Sequence, residues 1–228
     1  MSWSDFWERA HGIYVSERHL EAHYRRIGDD LQGYVADGMQ VLDWGCGDAL
    51  AAPRLSASGA RLCLFDASAA VRARLAARFA AAPGVSVLAP EDLQGVARRF
   101  DLIVVNSVLQ YLSKEQLAAQ LPLWRRWLSP HGRLLLADVI PPEAGLVTDV
   151  WYLLWPGLKH GYFLAGLAGL VASLKGEYRT LRRDLGLTRY AEAELVDLLR
   201  AHGFAGERQA RNVGFNQARM TVAARPLA

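Results

Sequence analysis

The sequence predicts an α/β fold in which a largely parallel sheet is covered by helices on both faces. Three observations point there. Five strand-like segments alternate with helical segments between residues 39 and 140. Those strand segments are continuous apolar runs rather than alternating ones, as expected when both faces of a sheet are buried. A glycine-rich turn follows the first strand directly.

The elements read in order as follows. Residues 3–36 form helices that cap the domain, with Ser16 as a plausible N-cap. MQVLDW (39–44) is the first strand, and 49–58 suit a short helix. ARLCLFD (60–66) is the second strand, ending on an acid. Residues 68–84 space their apolar side chains at the helical period and stop at Pro83-Gly84. VSVLA (85–89) is the third strand, and 91–99 a short helix or loop. RFDLIVVNSVLQYL (99–112) is a strand running into a loop. Ser113 and Gln116 form a capping box for a helix over 114–128. Pro130-His131-Gly132 reads as a turn before the fifth strand, RLLLADVI (133–140), which Pro141 and Pro142 end. Residues 143–190 are an apolar, aromatic and then basic insertion. A helix over 191–204 closes at Gly203, and two last strands lie near 206–213 and 217–225. The whole chain, 1–228, reads as one domain.

Composition narrows the function. The chain is 52% hydrophobic with a net charge of +3, which excludes a disordered chain. Of its 26 basic residues 23 are arginine, and they are mostly interleaved with acids. No nucleic-acid module is evident, so no nucleic-acid partner is expected. Cys46 and Cys63 are too few for a disulfide framework and read as core thiols, which suits a reducing, cytoplasmic setting. The first residues, MSWSDFWERAHGIY, lack the apolar stretch of a signal peptide. The uncharged run 160–174 holds 15 residues, short of the roughly 18–20 that span a bilayer.

The strongest local signal is VLDWGCGDA (41–49). Gly45 and Gly47 sit where a strand hands over to a helix, so the backbone can turn sharply and approach a ligand closely. Asp66 ends the second strand 21 residues after Gly45, where a carboxylate can accept the hydroxyls of a ribose. Any adenosine-containing cofactor fits this much. A dinucleotide fingerprint would need glycine at position 50, which is Leu50. Asp43 and Asp48 flank the loop with negative charge, which is poor for a pyrophosphate and suits a cationic end. An NAD(P)-dependent oxidoreductase nevertheless stays open as an alternative, as does a non-catalytic cofactor-binding partner subunit.

Together these motifs resemble the class I S-adenosylmethionine-dependent methyltransferases. DWGCG is similar to that family's first motif, although the glycine often found next is Ala49. The resemblance covers roughly 35–142 and 190–226. It implies a Rossmann-like, doubly wound, seven-stranded sheet whose last strand is antiparallel, closed by the hairpin around GFNQARMTVAARP. It also implies S-adenosylmethionine as cofactor, held by Asp43, Gly45, Cys46 and Gly47 in the first loop, by Asp66 and Ala67 after the second strand, and by Asp92 and Leu93 in LAPEDLQ. Asn106 and Ser107 would line the methionine end, and Tyr14 would cover the cofactor.

The family places substrate selection in the N-terminal helices and in the insertion after the fifth strand. His19 and His23 lie four apart on one helix face. They read as partly exposed helix histidines, as a general base or substrate contact, or, least of all, as a metal pair; no third ligand is evident and no metal is expected. Tyr111 is a third catalytic candidate, and His160 a weaker base. The insertion places Trp151, Tyr152, Trp155, Tyr162 and Phe163 within 13 residues. It reads as helices packed over the cleft, as a lid over an apolar or aromatic substrate, or as a peripheral membrane contact through 151–189. The last reading draws on five Lys/Arg against two acids in 175–189. The resulting expectation is methyl transfer to an oxygen, nitrogen or activated carbon of a mostly apolar small molecule, such as a natural product, quinone or lipid-like intermediate.

Overall fold

A computed structural model describes residues 16–97, 99–145, 151–152, 154–158, 161–163 and 186–227. Tyr14, His160 and most of the insertion lie outside the described residues. Within them, Glu17–Gln32 forms α1, and Ser16 caps it by accepting from the His19 N–H at 3.2 Å. The following elements are β1 (Gln40–Trp44), α2 (Ala52–Ser56), β2 (Arg61–Phe65), α3 (Ala69–Phe79), β3 (Val85–Val87), α4 (Pro90–Leu93) and β4 (Phe100–Asn106). A 3₁₀ turn, Leu109–Tyr111, leads into α5 (Lys114–Trp127) and β5 (Leu128–Val139). After the insertion come α6 (Glu192–Ala201), β6 (Phe204–Arg208) and β7 (Met220–Pro226).

The described residues form a seven-stranded sheet in the order β3-β2-β1-β4-β5-β7-β6. β1 pairs in parallel with β2 and β4, and β4 in parallel with β5. β7 runs antiparallel between β5 and β6, so the last strand is the reversed one, as expected. The order reverses between β1 and β4, which opens a crevice at their carboxyl ends.

The continuous apolar strands are explained by two cores. On one face, α1, α2 and α3 bring Ile27, Leu31, Leu55, Val71, Leu75 and Phe79 against Val41, Leu62, Leu64, Leu102, Val104 and Leu135. On the other, α5 and α6 bring Leu117, Leu121, Trp124, Leu195 and Leu199 against Leu42, Ile103, Val105, Leu134 and Leu136. Successive strand residues serve opposite cores, so no position is left for polar alternation. Ser113 and Gln116 form the capping box at the start of α5.

Two boundaries differ from the sequence reading. Pro130-His131-Gly132 is not a turn before β5 but part of that strand. Leu128 pairs with Phe100 and Arg133 with Leu102, so residues 129–132 of β5 lie opposite Asp101 alone on β4, an irregular bulge. A Cβ on Gly132 would meet the Phe100 carbonyl oxygen at 2.7 Å, which is why the bulge holds glycine. β6 starts at Phe204 rather than near 206, because Gly203 ends α6 at φ +80° and the fully buried Phe204 belongs to the core.

Candidate active site

The β1 carboxyl end and its glycine loop form the first half of the site. Gly45 adopts φ +76°, and a Cβ there would meet Val108 Cγ2 at 2.6 Å, so only glycine fits. The N–H groups of Gly45 and Cys46 donate to the Phe65 carbonyl at 2.7 and 3.1 Å, which locks the loop to the end of β2. Gly47, at φ +53°, is different: a Cβ there would meet nothing within 4 Å, so this stretch of backbone borders open space.

Asp66 stands directly beyond β2. Its Oδ2 accepts from the Gly47 N–H at 3.0 Å and its Oδ1 from the Ser68 N–H at 2.9 Å. A carboxylate has about four lone-pair sites, so each oxygen retains one for a ligand hydroxyl. Ala67 is exposed beside it, and its carbonyl accepts from Arg72 at 2.8 Å. Asp43 lies at the end of β1. Burial, and then the charge of Asp66, pushes its carboxyl from 3.8 up to about 7. Cys46 has its thiol pushed well up, by burial and then by the charges of Asp43 and Asp66, so it is inert as a nucleophile. Asp48 does not act with Asp43 as a second acid on the loop. It is exposed, pairs with Arg74 at 3.5 Å, and its carbonyl accepts from Arg78.

Asp92 and Leu93 lie in α4. Asp92 Oδ2 accepts from the Ala89 N–H at 2.8 Å, and the Leu93 side chain is buried in the core, so Leu93 offers a ligand its backbone only. Asn106 ends β4, and its Oδ1 is buried with no hydrogen-bond partner among the described residues. Ser107 follows at φ +58° and donates from Oγ to Asp138 Oδ2 at 2.7 Å.

The second half of the site is a cavity of about 270 Å³. His19 and His23 from α1, Asn106, Ser107, Asp138, Tyr152 and Phe215 all line it. The His19 and His23 ring centroids are 6.1 Å apart, and His19 packs at 4.8 Å from Tyr162. Burial, and then His23, lowers His19 to about 4. Burial also lowers His23, where Asp138 acts in the opposite sense and Arg219 reinforces the shift. Both imidazoles are therefore neutral at pH 7. Tyr111 does not share this lining; it stays in the 3₁₀ turn, its N–H bonded to the Val108 carbonyl. The aromatic insertion divides: Tyr152 lines the cavity and Tyr162 is buried, whereas Trp151 and Trp155 stack at 5.5 Å and face solvent.

Sequence reasoning missed Asp138, Arg219 and Asn212. Asp138 accepts from Arg219 at 2.7 Å across 81 residues and from Asn212 Nδ2 at 3.4 Å across 74. The available signal was Asp138 itself, the one charged residue near the carboxyl end of an apolar parallel strand, where such sheets bind ligands.

Residues 42–134 match the family model described as a methyltransferase domain. Over those residues the chain is similar to a methyltransferase domain. Its likeness to the S-adenosylmethionine-dependent methyltransferases, drawn from DWGCG and Asp66, holds in the sheet order and in this match.

The domain resembles solved structures across most of its length. One is the Burkholderia thailandensis 1,6-didemethyltoxoflavin-N1-methyltransferase with its acceptor and S-adenosylhomocysteine bound (19% identity, 91% of this chain and 80% of that chain, TM-score 0.58). Another is the Synechocystis magnesium protoporphyrin IX methyltransferase with bound S-adenosylhomocysteine (16% identity, 99% and 93%, TM-score 0.60). A third is a mitomycin 7-O-methyltransferase (17% identity, 91% and 53%, TM-score 0.60). No curated protein matches the chain in a sequence search.

Proposed function

We propose that the domain transfers the methyl group of S-adenosylmethionine to an oxygen, nitrogen or activated carbon of a mostly apolar small molecule. The observation that carries this reading is the glycine loop at the end of β1, where the open Gly47 backbone stands beside the Asp66 carboxylate. At the end of the neighbouring β4, Asn106 and Ser107 line a half-open cavity with His19, His23, Tyr152 and Phe215. At about 270 Å³ that cavity suits a small ring system. The acceptors of the similar enzymes, 1,6-didemethyltoxoflavin, magnesium protoporphyrin IX and mitomycin, support the same class.

The residues present fit the donor. Asp66 keeps lone pairs for ribose hydroxyls, the Gly47 backbone lies open, and the orphaned Asn106 Oδ1 and the Asp43 carboxyl suit an amino-acid ammonium. When bound, S-adenosylmethionine supplies an electrophilic methyl carbon on a sulfonium sulfur. The chain's own task is positioning: the nucleophile must sit about 3–3.5 Å from that carbon, in line with the departing sulfur. Phe215, Tyr152 and His19 wall the acceptor.

Incubation with methyl-labelled S-adenosylmethionine and a panel of phenols, quinols and N-heterocycles tests the reading. Label is expected in an organic-extractable product. Label appearing only in added nucleic acid or protein would overturn it.

A further inference from the structure

We infer that the face formed by Trp151, Trp155 and Leu158 docks the domain on an anionic lipid surface, with Arg18 meeting the headgroups beside it. The contact is independent of the proposed methyl transfer.

Residues 151–152 and 154–158 are helical. Trp151, Trp155 and Leu158 stand four and then three residues apart, so they share one side of the helix. They are 58%, 60% and 60% exposed, more than any other large apolar side chain among the described residues. The two indoles stack at 5.5 Å with their planes 13° apart, which makes one flat apolar surface. The opposite side of the helix is already used. Pro156 and Gly157 are buried there, and a Cβ on Gly157 would meet the Phe163 backbone at 3.0 Å. On its flank, Tyr152 lines the acceptor cavity. The helix is thus anchored on its inner side, while both tryptophans and Leu158 face solvent.

The charges decide what such a face meets. Arg18, exposed on α1, lines a half-open cavity of about 340 Å³ together with Leu158, Tyr162 and Phe163. A Cβ on Gly161 would lie 3.6 Å from Arg18 Nη1, so the guanidinium sits against this segment. Glu17 and Glu21 also belong to α1, but neither lines that cavity. In the sequence, residues 150–176 contain no Asp or Glu, and their Lys/Arg are Lys159 and Lys175. Residues 175–189 then carry five Lys/Arg against two acids. Exposed tryptophan and leucine flanked by cations suit the interface of an anionic bilayer. Indoles settle at the headgroup level, and each Lys/Arg near the surface adds attraction. A second copy of the chain is the poorer occupant, because a twofold contact sets the same face against itself and brings like charges together. Among the described residues no helix is long and apolar enough to cross a membrane, and the contact inferred is a surface one.

The docking face and the acceptor cavity share one element. Tyr152 stands next to Trp151 and lines the cavity, and Tyr162 packs at 4.8 Å from His19, another of its lining residues. A domain held by this face has its acceptor cavity close to the lipid, where a mostly apolar acceptor dissolves; this consequence alone rests on the proposed function.

Co-sedimentation of the full chain with lipid vesicles tests the contact. The wild type should sediment with vesicles of phosphatidylcholine and phosphatidylglycerol, far less with phosphatidylcholine alone, and should be released as salt is raised. Brominated lipid should quench its tryptophan fluorescence. The double variant Trp151→Ser/Trp155→Ser should bind about tenfold more weakly and lose that quenching, with its thermal unfolding midpoint unchanged. Arg18→Gln should bind about fivefold more weakly, the effect of one cation near the surface; if the tryptophan variant does not fold, Arg18→Gln decides alone. No sedimentation of the wild type, equal binding to both kinds of vesicle, or unchanged binding in either variant overturns the inference. A wild-type dimer in sedimentation velocity that the tryptophan variant dissociates, without vesicle binding, assigns the face to a second copy and overturns it as well. The assay contains neither cofactor nor acceptor. Vesicle binding by a chain that does not bind S-adenosylhomocysteine would therefore uphold the lipid contact and overturn the proposed function.

Discussion

Asp43→Asn separates folding from cofactor binding in one substitution. The Asp43 carboxyl is displaced from 3.8 to about 7 by burial and then by Asp66. Between those values the folded protein holds a proton that the unfolded chain releases. Stability therefore falls as pH rises from about 4 through 7. At about 1.4 kcal/mol per pH unit, the displacement corresponds to about 4 kcal/mol lost once the pH is well above 7. Asparagine has the same shape and never ionises. Urea denaturation should show the variant gaining stability over the wild type at pH 8.5 and little or none at pH 3.5. Calorimetric titration with S-adenosylhomocysteine should show the opposite for affinity. The wild type should bind more tightly as Asp43 ionises between pH 6 and 8, whereas Asp43→Asn should bind weakly and without that pH dependence. A variant less stable than the wild type at pH 8.5, or one with unchanged pH-dependent affinity, would refute the reasoning.

Three further outcomes follow from the same geometry. Asp66→Ala should weaken S-adenosylhomocysteine binding by about 1–3 kcal/mol in calorimetry, through lost charged hydrogen bonds and the release of the Gly47 and Ser68 N–H groups. Gly45→Ala should destabilise the fold by about 1–3 kcal/mol in urea denaturation, because its Cβ meets Val108 at 2.6 Å and its φ is +76°. His19→Ala should raise the acceptor KM more than it lowers kcat in steady-state assays, because His19 walls the cavity and packs on Tyr162 behind it.

Much of the fold was legible because its cause is local. Runs such as LCLF and LIVV are apolar at every position, and only a sheet buried on both faces requires that. The glycine loop was legible for the same reason: Gly45 and Gly47 sit next to the strand whose end they turn. What escaped reading is set by contacts between distant parts of the chain. The bulge at 129–132 exists because Phe100 pairs with Leu128, and no local pattern encodes that partner. Asp48 read as part of an acidic loop, yet α3 supplies Arg74 and Arg78 to draw it outward. His19 and His23 read as one helix face, and α1 does present both to the cavity. Their different surroundings come from Asp138, Arg219 and Tyr162, more than 100 residues away in sequence. Tyr111 lies close to β4 in sequence, but its 3₁₀ turn keeps it out of that lining.

The proposed function places S-adenosylmethionine over Gly47 and Asp66. Its most direct test is calorimetric titration of the wild type with S-adenosylhomocysteine and, in parallel, with NADH. Saturable one-site binding of S-adenosylhomocysteine, with no heat from NADH, is the result this account predicts. Tight binding of NADH with no response to S-adenosylhomocysteine would contradict it.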